Sequence, residues 1–209
     1  MPEKRWISVS AQGEASVTPD LAIVSFAVSG DGKELGPTRD DVNRRSSAVL
    51  AALRELGVAE GDVNAPDVGI HPQYDYRKGQ RLIGYRVVRQ MTAKVRDLDG
   101  LGDVLDGVVA AGANEVFGAQ MSSADPSAAE HAALEAAVRG ARAKAEVLAA
   151  AAGVKLGGVA RIEEEADGGG APMPKMRMMA MAESADASTE VAPGDLTVTS
   201  RIRAWFDLA

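Results

Sequence analysis

A chain of 209 residues, 46% hydrophobic and 25% charged, is long enough for one sizeable domain or two small ones, and its composition excludes wholesale disorder. It has no cysteine, which rules out disulfides, thiolate metal sites and cysteine nucleophiles, and its two histidines cannot build a three-imidazole site within one chain. Residues 1–96 carry 14 Lys/Arg against 12 Asp/Glu and residues 97–209 carry 9 against 18, so the net charge of −7 belongs to the second half and argues against broad nucleic-acid binding.

The amino terminus, Met1 to Ser10, is charged and passes straight into a strand pattern without the apolar core of a signal peptide. As it stands, the chain reads as cytoplasmic; with a signal removed it would be periplasmic or secreted. No stretch approaches the ~20 apolar residues of a membrane span. From Ile7 to Val17 apolar and polar residues alternate, the period of a half-buried strand. Pro19-Asp20 punctuates it, and residues 21–29 are apolar on both faces, as in a central strand. Residues 38–56 repeat Val42, Val49, Leu53 and Leu56 at helical spacing, with Gly57 where a C-terminal cap belongs. Residues 68–76 and 81–96 predict a hairpin turning at Lys78-Gly79-Gln80, in which Arg89 breaks the alternation.

A helix is predicted over about 100–111, capped by Asp99 or a neighbour and closed by Gly112, followed by a strand over 115–122. Asp125-Pro126 starts a long helix whose stripe is Leu134, Val138, Ala141, Ala145, Leu148 and Ala152, closed by Gly153. Strands over 159–164 and 195–208 flank a Gly/Pro/Met-rich break at 167–194. The order ββαββαβαββ predicts an α+β fold, strand hairpins packed with three helices, in a single domain spanning 1–209 with two lobes as a variant.

Candidate sites are few. Gly100-Leu101-Gly102 opens a helix after a strand, but Leu105 replaces the third glycine of a dinucleotide turn, and Asp97, Asp99, Asp103 and Asp106 would repel a pyrophosphate. The same acids fail as a calcium loop, since Leu101 and Val108 stand where oxygen donors are needed. His71 and His131 read as surface histidines. Arg77, Lys78, Arg81, Arg86 and Arg89 gather positive charge around the hairpin, while Tyr74, Tyr76 and Tyr85 fall on its apolar parity and read as core. The acidic run Glu163-Glu164-Glu165-Asp167 reads as a solvated strand end. Met173, Met176, Met178, Met179 and Met181 are five of eight methionines, soft thioethers suited to Cu(I) or to oxidant capture, or else apolar contacts. No Ser-His-Asp arrangement, nucleophile elbow or P-loop is present.

Gly13, Val17, Pro19 and Asp20 at the start, Gly57 after the first helix, Ile70-x-Pro72-x-Tyr74, Gly84-Tyr85, Lys144-Ala145, Leu148-Ala149, Gly153-x-x-Leu156-Gly157, Pro193-Gly194 and Phe206-x-Leu208 together resemble the SIMPL-domain family over nearly the whole chain. That family includes YggE-like oxidative-stress-defence proteins and periplasmic immunogenic proteins. The resemblance implies an α+β domain, a tendency to form homo-oligomers and a link to oxidative-stress defence; it brings no catalytic residues. The expectation is therefore a non-enzymatic, self-assembling protein without cofactor, nucleic-acid partner or membrane span. Soft-metal binding through the methionines, and an enzyme with a site between subunits, are the alternatives.

Overall fold

The computed structural model describes residues 5–77, 79–165, 173–174 and 194–209, and it shows the expected α+β fold: three helices and two antiparallel sheets among those residues. They divide into two compact units, one made of residues 20–122 and one of residues 1–19 with 123–209.

In the unit 20–122, β2 (Leu21–Gly32) lies between β5 (Arg81–Val95) and β6 (Glu115–Ser122), while β4 (Gly69–Asp75) and the short β3 (Val63–Asn64) share the other edge of β5. Alternate residues of β2 (Ala22, Val24, Phe26 and Val28) and Val87, Met91, Ala93 and Val95 of β5 face one side. There they bury against α1 (Leu35–Glu55) and α2 (Leu101–Ala110) through Val42, Val49, Leu53, Leu101, Val104 and Val108. Burying a side chain such as Phe26 contributes about 1.5–3 kcal/mol, which is why this stripe places the helices. Helix α2 begins at Leu101, and Asp97 rather than Asp99 accepts from its flanking Gly100 N–H, at 3.4 Å.

Arg89, the residue that breaks the alternation, stands opposite Val28 on the helix-covered side. Its guanidinium donates to the carbonyl oxygens of Ala65 and Pro66 at 3.1 and 3.2 Å, which ties down the connection between β3 and β4. Backbone carbonyls at the rim of a core need donors, and a long arginine supplies them without burying its charge.

In the other unit, β9 (Leu196–Leu208) is central: β1 (Trp6–Val17) runs along one edge, and β7 (Leu156–Glu164) with the two-residue β8 (Met173–Pro174) along the other. Helix α3 (Ser127–Ala151) lies across β1 and β9. Its buried row is Ala129, Ala133, Ala137, Ala141, Ala145 and Ala149. The predicted stripe is thus corrected in three of its six members: Ala141 and Ala145 are buried and Leu134 packs against the core, but Val138 and Leu148 are 38% and 48% exposed and Ala152 is exposed too. A row at every fourth residue is a ridge inclined to the helix axis, and small side chains on it let the helix backbone approach the strand. At Gly13 of β1 a Cβ atom would stand 2.1 Å from the Ala133 carbonyl oxygen and 2.3 Å from the Ala137 nitrogen.

All three helices end as the sequence predicts. Gly57, Gly112 and Gly153 have positive φ, and in each case the next residue's N–H returns to a carbonyl five residues earlier, from Val58 to Leu53, Ala113 to Val108 and Val154 to Ala149. At the start of α3, Asp125 accepts from the Ser127 N–H and hydroxyl, and these bonds hold its carboxyl below the usual aspartate range.

Candidate functional site

The open face of the five-stranded sheet carries a polar cluster spanning four strands. The Ser29 hydroxyl donates to Glu115 Oε1 at 2.6 Å, and the Arg86 guanidinium donates to the same oxygen. Arg86 also reaches Asp31 at 3.5 Å, and Gln73 donates to the other Asp31 oxygen at 2.8 Å. Asn114 accepts from the Ser29 N–H at 2.8 Å and returns its amide to the Ser29 carbonyl at 3.1 Å. From behind, Arg45 of α1 donates to that same carbonyl at 2.8 Å while held by Asp41. Ser29 is 4% exposed and its hydroxyl proton is given to a carboxylate that is already ion-paired. The cluster therefore bonds inward as a brace joining β6, β2, β5 and β4. His71, Arg86, Gln90 and Glu115 line a solvated cleft of about 490 Å³ beside it.

The brace holds the base of the β4–β5 hairpin. Beyond it Ile83 and Gly84 stand together opposite Gln73, a bulge that shifts the register so that Tyr74 pairs with Leu82. The strand ends next to the turn expose apolar side chains among the described residues: Tyr76 is 70% exposed, Ile83 50%, Leu82 44% and Tyr74 39%. The rings of Tyr74 and Tyr76 are 6.2 Å apart, inclined at 47°. This corrects the expectation that Tyr74 and Tyr76 are core; they share a parity with apolar residues, but among the described residues no helix reaches the hairpin end to bury them. Arg77 lies in the turn itself, 3.8 Å from Asp75, and Arg81 at the first position of β5, whereas Arg86 and Arg89 are spent on the brace and on the β3–β4 connection.

On the opposite rim of the unit, Arg96 grips Asp62 through two bonds of 2.8 and 3.0 Å. The Arg96 hydrogen bond and charge hold the Asp62 carboxyl below its ordinary range.

Met176, Met178, Met179 and Met181 lie outside the described residues, and for Met173 the structure describes only backbone pairing with Thr197. Among the described residues no group of three His, Asp or Glu side chains is placed to hold a metal. His71 and His131 are both exposed. The acidic run is more engaged than a solvated end: Glu163 bonds Arg161, which lies 5.1 Å from the Trp205 ring, and Glu165 pairs with Arg203 at 3.1 Å. Sequence reasoning missed the brace. Its signals were faint: Ser29 on an otherwise apolar central strand, and Asn114-Glu115 at the start of another.

In the second unit, Val9, Ser10, Ala143, Lys144, Val147 and Leu148 line an open apolar groove of about 520 Å³ between β1 and α3. No described helix is long and apolar enough to cross a membrane.

Two antiparallel sheets, each backed by helix, define an α+β protein. The chain belongs to the SIMPL family, described as "Protein of unknown function (DUF541)", whose model matches residues 7–206. It is 30% identical to "Uncharacterized protein YggE" of Edwardsiella ictaluri, over 90% of this chain and 80% of that one. It is also 30% identical to the "26 kDa periplasmic immunogenic protein" of Brucella melitensis, over 97% and 84%, and 29% identical to Escherichia coli YggE, over 91% and 77%.

Proposed function

We propose that the protein is a non-enzymatic SIMPL protein that assembles with copies of itself, acting in the periplasm in defence against oxidative stress. The observation that carries the assembly is the β4–β5 hairpin, whose tip exposes Tyr74, Tyr76, Leu82 and Ile83 while its base is braced by Gln73 and Arg86. A rigid arm ending in aromatic and aliphatic surface gains from burial against another chain, and such clusters are enriched where proteins meet. The periplasmic setting is supported by the name of the Brucella relative, and the oxidative-stress role by the family resemblance. Light scattering on the full chain across micromolar concentrations is expected to give a mass several times 21.7 kDa. Replacing Tyr76 and Ile83 together by serine is expected to lower it. A monomer at every concentration would sink the proposal.

The five methionines between 173 and 181 favour a second reading, binding of Cu(I) or reduction of peroxide by thioether oxidation to the sulfoxide. Changing all five to leucine is expected to abolish Cu(I) uptake, or to cut the mass gain on peroxide treatment to that of the three remaining methionines, with the far-ultraviolet circular dichroism unchanged. Retention of both activities would count against this reading.

A further inference from the structure

Among the described residues, the smaller sheet has two edges without a pairing strand along most of their length, and they differ in chemistry. Leu208 N–H donates to the Arg5 carbonyl at 3.1 Å, and the register continues from Trp6 opposite Asp207 to Val17 opposite Leu196. Odd residues of β1 therefore bond β9, and the N–H and C=O groups of Ser8, Ser10, Gln12 and Glu14 point away from it. Lys144 shows the direction, since its ammonium lies 2.9 Å from the Ser10 carbonyl oxygen. No described strand pairs with this edge. The groove between β1 and α3 lies directly along it, with Val147 69% and Leu148 48% exposed.

At the other edge, Glu165 N–H donates to the Arg201 carbonyl at 2.9 Å, so the backbone groups of Ile162 and Glu164 on β7 point outward. Ile162 stands opposite Ala204 and Glu164 opposite Ile202, both of which face α3, so these two side chains share the helix side of the sheet. Ile162 is 45% exposed, and Glu164 has no ion-pair partner among the described residues.

We infer that the β7 edge of one copy adds to the β1 edge of the next, with Ile162 entering the β1–α3 groove and Glu164 meeting Lys144. This rests on the assembly proposed above and adds to it a second contact surface, separate from the hairpin. Polarity supports the fit. Strands β1 and β7 are both antiparallel to β9, so a continued sheet with its helices on one face joins them in parallel. Helix α3 runs opposite to β1, since Gly13 lies at Ala133 and Ala137 and Ala11 at Gly140. Passing along β1, the apolar Leu148 and Val147 therefore come before Lys144. Along β7, Ile162 comes before Glu164. The contact is head-to-tail, built from main-chain hydrogen bonds along an open edge with side-chain pockets setting the register.

Light scattering and sedimentation of the full chain test it. Lys144→Glu and Glu164→Lys are each expected to weaken association by about tenfold or more, because each sets like charges together across the contact. The double exchange is expected to restore it. Ser10→Pro removes an N–H that points away from β9 and an exposed hydroxyl that accepts from Arg203 Nε at 3.4 Å, and no main-chain bond to β9, so circular dichroism and thermal melting should stay close to the parent while association is lost. Unchanged mass in Ser10→Pro and in both charge variants, with dissociation by the Tyr76 and Ile83 changes, would overturn the edge contact and leave assembly standing. A monomeric parent chain would remove both. Weakening by Lys144→Glu but not by Glu164→Lys would instead mean that two β1 edges meet, and would also overturn it.

Discussion

At Gly13 the helix and strand of one unit come as close as backbone permits. A methyl group there would meet the Ala133 carbonyl and Ala137 nitrogen at 2.1 and 2.3 Å, and neither is a flexible side-chain end that could swing aside. Gly13→Ala is therefore expected to force α3 from β1 and lower stability by about 1–3 kcal/mol or more. Gly36 supplies the opposite case, because in the first turn of α1 a Cβ meets nothing within 4 Å. Gly36→Ala is expected to raise stability by a few tenths to about 1 kcal/mol, since it narrows the unfolded ensemble and suits the helix. Urea midpoints measured side by side decide both; two changes of the same sign would refute the argument from close approach.

At the scale of elements, the sequence predicts what depends on local chemistry and misplaces what depends on a neighbour. Helix ends are local: Gly57, Gly112 and Gly153 each take the positive φ that a side chain resists, and each is foreseen. The face of α3 is not local. Hydropathy ranks Val138 and Leu148 above Ala133 and Ala137, yet the strand carrying Gly13 demands small residues, so the larger ones are turned outward. Tyr74 and Tyr76 mislead for the related reason that parity shows which residues share a side, but not whether anything covers that side. The brace escapes because Ser29, Asp31, Gln73, Arg86 and Glu115 come from four strands far apart in sequence, and only the register of the sheet assembles them. The methionine segment, legible as composition, falls almost wholly outside the described residues.

The Asp62–Arg96 pair joins the turn before β3 to the end of β5, and its pH dependence follows in sign from its geometry. Arg96 lowers the folded carboxyl below the unfolded one, which titrates at about 3.9. The folded state thus gains stability from the pair above that unfolded value and loses it as pH falls through the lower, folded value. In Asp62→Asn the gain is absent at every pH. Urea midpoints of parent and variant are expected to lie apart at neutral pH and to converge in acid below about pH 3.9. Parallel curves would show that the pair does not contribute through ionisation.

For the whole molecule, the connectivity makes a stronger claim than either sheet does alone. Residues 20–122 form one compact unit from a continuous stretch of chain, whereas the other unit is built from both ends of the sequence. The ends of the continuous stretch are adjacent, because Asp20 N–H donates to the Ser122 carbonyl at 3.2 Å. Its core is its own: Ala22, Val24, Phe26, Val28, Val42, Val49, Leu53 and Val108 are fully buried within one cluster. A stretch with neighbouring ends and a separate core has what independent folding requires. A fragment of residues 20–122 is expected to melt cooperatively and to show a dispersed amide spectrum. Val49→Ala in that fragment should lower stability by about 1–3 kcal/mol, through lost burial and the cavity left under α1. The same change in the full chain should lower the transition that reports β2 and β5 by a similar amount. A fragment without cooperative melting would mean that these residues need the remaining chain to fold, and that the two units form a single thermodynamic body.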